Sequence, residues 1–227
     1  MERSEAVKTL SVPKNVFDGI VRWVSEAPHG CETGVTLFGT PLEGAPNSHY
    51  VVLAIAGPGR RATHEPAQYS GDENHANEIY DALRSALPGI RWLGELHEHP
   101  KGMTRLSCGD LRTVRHILNG TDETLHPDEF IAGVMQRRDG TVDIYPSHFT
   151  REWLRGRPME IQIVDSDVSE VQQARRSAIE RRMHDDRSNL RAEPPGSRAV
   201  IPQARRFGWL RKWWKRDRAD GRPRGHR

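Results

Sequence analysis

The apolar pattern that can build a core ends near residue 164. Up to that point, short β-branched runs alternate with stretches whose apolar residues recur at helical spacing. Beyond it the chain is heavily charged and carries only a thin apolar stripe, Val168, Val171, Ala174, Ala178, Ile179 and Met183. A chain divided in this way folds as one compact domain followed by an extension that buries little. Within residues 13–27, Val16, Ile20, Val21 and Val24 predict an amphipathic helix with Pro13 in its first turn. Residues 33–40 and 49–56 read as strands with a turn, PLEGAPNS, between them, and 57–71 read as a loop rich in Gly and Pro. Ile79, Leu83 and Leu87 mark a helix over 72–87, stopped by Pro88-Gly89. Residues 90–99 read as a strand ending at Pro100, and 107–118 as a helix. Strands at 129–136 and 141–146 flank the turn Arg137-Arg138-Asp139-Gly140, and 159–164 close the pattern as a last strand. This order predicts an α/β domain over residues 1–164, a charged helical extension over 165–191, and a linker with a basic tail over 192–227.

Charge divides along the same line. Residues 204–227 hold ten Arg or Lys against Asp217 and Asp220, a net of +8. The other 203 residues carry 24 basic and 29 acidic side chains, a net of −5. Any argument from basicity to nucleic acid therefore concerns the tail alone. There, Phe207, Leu210 and Trp214 form one helical stripe and Trp209 and Trp213 a neighbouring one, interleaved with Arg and Lys. Such a patch can dock on a protein, an anionic lipid surface or a nucleic acid, or fold back on its own domain. No run approaches the roughly 18–20 apolar residues of a membrane span. The N-terminus has no secretory pattern, so a cytoplasmic location is expected. Cys31 and Cys108 are too few for a disulfide scaffold and read as small buried residues.

Chemistry concentrates in residues 94–110, GELHEHPKGMTRLSCGD. His97 and His99 lie two apart on a strand, so both imidazoles point to one face while Glu98 points to the other. Pro100 breaks the strand, and Asp110 falls in the first turn of the next helix, where Ser107-x-x-Asp110 also suits a capping box. If the helix start folds back, two imidazoles and one carboxylate converge. Three protein ligands leave a fourth position free, as at a catalytic zinc. The HExxH and deaminase zinc patterns are absent.

Joined as H-x-H-P-x6-S-x-x-D, this stretch resembles the JAMM motif of the Jab/MPN metalloproteases, with ten residues between His99 and Asp110. The lead-in Gly94-Glu95-Leu96 looks like the bacterial members. Glu32, followed by Thr33-Gly34-Val35-Thr36-Leu37, fits the glutamate that family places before an early strand. The resemblance covers about residues 5–150. It implies a single Jab/MPN domain, a mixed central β-sheet flanked by helices, with a charged C-terminal helix and basic tail. It implies His97, His99 and Asp110 as ligands of one zinc ion per chain. Glu32 becomes the general base and Ser107 a hydrogen-bond donor to the developing oxyanion. Glu95 shares the face of the histidines and is either a rival base or a partner that orients one of them. The implied activity is hydrolysis of a peptide or isopeptide bond after the C-terminus of a ubiquitin-like protein, with E1-like and E2-like proteins as possible companions. One alternative is a processing peptidase for a ubiquitin-like or sulfur-carrier precursor. Another is a non-catalytic adaptor whose basic tail binds nucleic acid or membrane. The loop 57–71 and the segment 119–128 are expected to flank the site.

Overall fold

The computed structural model describes residues 7–42, 49–99, 102–120 and 127–165. The charged helix expected over 165–191, the linker and the basic tail lie outside the described residues, except Asp165. So do residues 43–48 of the expected turn PLEGAPNS, Pro100 and most of 119–128.

Seven strands close into a barrel in the order β1-β3-β2-β6-β7-β8-β9. They are β1 (Lys8–Pro13), β2 (Gly34–Pro41), β3 (His49–Ala56), β6 (Arg91–Glu98), β7 (Glu129–Arg138), β8 (Thr141–Thr150) and β9 (Arg157–Val164). A separate hairpin of β4 (Thr63–Glu65) and β5 (Gln68–Ser70) lies in the expected loop. The helices are α1 (Lys14–Glu26), α2 (Glu73–Ala86) and α3 (Cys108–Asn119). None of the described helices is long and apolar enough to cross a membrane.

The mixed central sheet flanked by helices, implied by the Jab/MPN resemblance, is therefore corrected: the sheet closes on itself, and among the described residues only three short helices accompany it. Closure depends on β1, which pairs in parallel with β3 on one side and with β9 on the other, from Lys8↔Met159 to Pro13↔Val164. The segment Lys-Thr-Leu-Ser-Val-Pro has too few apolar residues to be legible as a strand alone. Its partners on both sides satisfy the backbone, and Leu10 and Val12 are fully buried.

Two cores follow. The first gathers residues from all seven barrel strands, with Val16, Ile20 and Val24 of α1 packed among them. The second lies where Ile79 and Leu83 of α2 and Val114, Ile117 and Leu118 of α3 cover Phe38, Ala54, Trp92, Phe130, Ala132 and Phe149. The spacing of these helical residues is that of a buried stripe. Asp72 caps α2 by accepting the N–H of His75.

A bulge in β6 decides what this second face presents. Pairing with β2 shifts between Leu37 and Phe38, so Leu37 meets Gly94 while Phe38 meets Trp92. Strict alternation would put Trp92 on the face opposite His97. The extra residue returns Trp92 to the same core face as the helices, and Leu93 joins the other core. Gly94 permits this. Its φ is 153°, and a Cβ there would stand 1.8 Å from the backbone oxygen of Ile131.

Candidate metal centre

β6 and the start of α3 bring three ligand groups together. The Nε2 atoms of His97 and His99 are 2.7 Å apart. His97 Nε2 lies 3.4 Å from Asp110 Oδ1, and His99 Nε2 lies 3.3 Å from Asp110 Oδ2. One ligand atom from each residue falls within 4.8 Å of the others. His99 is buried, and His97 and Asp110 are partly exposed.

Local structure explains the arrangement. Ser107 is the N-cap of α3, and its hydroxyl accepts the Asp110 N–H at 3.2 Å. In return the Ser107 N–H donates to Asp110 Oδ2 at 2.6 Å. This capping box fixes the Asp110 carboxylate at the helix start, where the macrodipole also favours an anion. The Ser107 hydroxyl keeps its own proton to donate. Glu98 points away from the cluster, as its strand position requires, and pairs with Arg137 through contacts of 3.1 and 3.0 Å.

Electrostatics bind the cluster further. Burial pushes the Asp110 carboxyl up, but hydrogen bonds with both imidazoles and Ser107 outweigh it and hold that carboxyl far below the usual range. Burial pushes the His97 imidazole down, yet Asp110 first, then Glu32 and Glu95, raise it above its ordinary value. Glu32 lies in the same electrostatic field. Burial lifts its carboxyl, the imidazoles of His97 and His99 pull it back, and Asp110 lifts it again, with a net rise.

The donor set suits a metal ion. Two imidazole nitrogens and a carboxylate face one point, and imidazole with carboxylate suits zinc among the common cations. His99 Nδ1 is buried and has no hydrogen-bond partner among the described residues. Glu95 lies along the strand from His97 and feels its charge, but makes no described hydrogen bond to either imidazole.

Glu32 is held by residues that sequence reasoning missed. Its N–H donates to the backbone oxygen of Glu65 at 2.9 Å, and His64 Nδ1 is 3.0 Å from its carbonyl oxygen. Tyr69 donates its hydroxyl to the Gly34 oxygen. All three come from the β4–β5 hairpin, so part of the expected loop 57–71 is a clamp on the strand start. Its strands are three residues each, too short for a periodic signal; only Pro66-Ala67 between Thr63–Glu65 and Gln68–Ser70 hints at a turn. Cys31 is partly buried and Cys108 exposed, both free, so the reading of two buried cysteines is also corrected.

No protein-family model matches the chain. No curated protein matches its sequence. Among solved structures it is similar to the solution structure of protein DSY2949 from Desulfitobacterium hafniense, a Northeast Structural Genomics Consortium target. The two are 14% identical, with a TM-score of 0.51, over 69% of this chain and 94% of that one. A likeness at that identity concerns the fold alone.

Proposed function

We propose that the chain is a zinc-dependent hydrolase of the JAMM type, cleaving a peptide or isopeptide bond after the C-terminus of a ubiquitin-like protein. The observation that carries this reading is the convergence of His97 Nε2, His99 Nε2 and the Asp110 carboxylate beside a second, partly buried carboxylate, Glu32. His97, His99 and Asp110 would hold the ion. When bound, zinc supplies Lewis-acid polarisation of a carbonyl and water of lowered pKa.

The chain's own residues supply the rest. Burial raises the Glu32 carboxyl above its ordinary value, which makes it a better proton acceptor than an ordinary carboxylate. The Ser107 hydroxyl, fixed by its capping hydrogen bond, donates to oxygen on which negative charge develops. The β4–β5 hairpin holds the backbone of Glu32 from both its N–H and its carbonyl.

The test combines metal analysis with turnover. The full-length protein is expected to hold about one zinc per chain, and to release a small fluorophore fused to the C-terminal glycine of a ubiquitin-like carrier. Full zinc occupancy in the double variant His97→Ala/His99→Ala would overturn the metal assignment. Zinc-loaded protein that leaves carrier fusions, lysine-linked conjugates and carrier precursors all intact would overturn the hydrolase reading. Cleavage of precursors but not conjugates would assign it the narrower processing role.

A further inference from the structure

A cavity of about 140 Å³ is lined by His97 and Asp110 of the metal cluster and by Glu32 beside it, and continues beneath α2 and α3 over the outer face of β2, β6 and β7. Its walls include Phe38, Trp92, Val114, Ile117, Phe130 and Ala132. An engineered cavity of about 150 Å³ takes a benzene molecule, so this space suits one side chain rather than a stretch of backbone.

The charges in the lining are unbalanced. Glu32, Asp72, Glu73, Glu95 and Asp110 line it, and among the described residues no Lys or Arg does. Two of these carboxylates have described hydrogen bonds. Asp72 accepts the backbone N–H groups of Arg61 and His75, and Asp110 is held by Ser107 and the imidazoles. Glu95 differs. It stands mid-strand on β6, facing the apolar walls, and no described residue hydrogen-bonds its carboxylate. The nearby Tyr69 hydroxyl donates to the Gly34 oxygen instead. The β6 bulge puts Glu95 and Trp92 on one face, so the carboxylate and the largest apolar wall border the same space.

Glu95 is partly buried, and the group that complements a carboxylate bordering apolar walls is apolar along its length and cationic at its tip. A lysine side chain has that form: a flexible four-carbon stem and a compact ammonium with three donors. We propose that this cavity is a specificity pocket for a lysine side chain of the substrate, its stem on the apolar walls and its ammonium on Glu95. The placement beside the scissile bond rests on the hydrolase reading; the binding of the side chain does not.

The experiment therefore reads binding without turnover. Nα-acetyl-lysine methylamide and its norleucine counterpart, equal in chain length but uncharged, are titrated into the full-length protein by NMR or calorimetry. The lysine compound should bind at least about tenfold tighter, the scale of one charge-assisted hydrogen bond. Glu95→Gln should bring the two compounds to near parity without changing zinc content. Ala76→Phe, which fills the space from a partly buried position on α2, should weaken both. Norleucine binding as tightly as lysine in the unsubstituted protein would overturn the pocket, whether or not Glu95→Gln folds. So would a lysine preference that survives Glu95→Gln. A missing preference in the unsubstituted protein alongside normal cleavage of carrier fusions would refute the pocket alone, and lysine selectivity in an inert protein would refute the hydrolase alone.

Discussion

At the scale of single residues, the two carboxylates beside the cluster have different chemical assignments. Glu32 is assigned the proton, so Glu32→Gln should keep fold and zinc but lower turnover by roughly 10²-fold or more, because the near-isosteric amide cannot take a proton. Turnover and zinc content measured together check this. If Glu95→Gln were dead and Glu32→Gln active, the base would be Glu95. The convergence of His97, His99 and Asp110 was legible because an alternation of two on a strand and a capping box on a helix are local rules. They put His97, His99 and Asp110 on facing surfaces without knowledge of the fold. Glu32 lies 65 residues before His97 in sequence, and no local rule connects them; only the resemblance of the motif reached it. His64 and Tyr69 were illegible for a related reason: they touch Glu32 and Gly34 through backbone atoms, which leave no pattern in side-chain identity.

At the scale of elements, most helices and strands followed their periodicity, and the failures lie where pairing rather than period decides. β1 is a strand because two neighbours accept it, and the bulge at Gly94 changes the phase of β6 in a way that alternation cannot anticipate. Gly94→Ala places a methyl group against the Ile131 carbonyl, so β6 must part from β7 there. It should cost about 3 kcal/mol or more and disorder the histidines; a denaturant midpoint and zinc content equal to those of the unsubstituted protein would contradict the register. A second tie joins β3, β7 and β8. Tyr50 donates to Glu129, and His148 Nε2 lies 2.9 Å from the same carboxylate oxygen, with Tyr50 and His148 both buried. Hydrogen bonds from His148 first, and from Tyr50, hold the Glu129 carboxyl below its ordinary value of 4.5 despite partial burial. A depressed folded value means the stabilisation is complete above pH 4.5 and fades as the pH falls below it through that folded value. Glu129→Gln should accordingly lower stability at neutral pH by about 1–3 kcal/mol. Its melting temperature should approach that of the parent protein as the pH drops below 4.5. A gap independent of pH would show that the carboxylate's charge does not matter.

At the scale of the whole molecule, the acidic body and basic tail are separable in charge and in apolar content. Exposed ion pairs return only about 0–1 kcal/mol each, too little to fix Arg-rich chain on the surface. A chain ending at Gln203 should keep its zinc, melting temperature and turnover, and lose only salt-sensitive binding to anionic partners. A truncated protein that folds and holds zinc yet turns over ten times more slowly than the full chain would place the tail within the catalytic apparatus. The seam between β1 and β9 has a different kind of consequence. It joins Lys8 to Met159, near the two ends of the described barrel, in a parallel pair. Contacts that distant in sequence form slowly, because the loop between them must close before they reward it. During synthesis, β1 leaves the ribosome first and waits with both edges unpaired until β3 arrives on one side and, much later, β9 on the other. Until then its exposed edge is open to other chains. The barrel is thus sealed only when its last strand has emerged, and nascent chains stopped before residue 157 should be the aggregation-prone form of this protein.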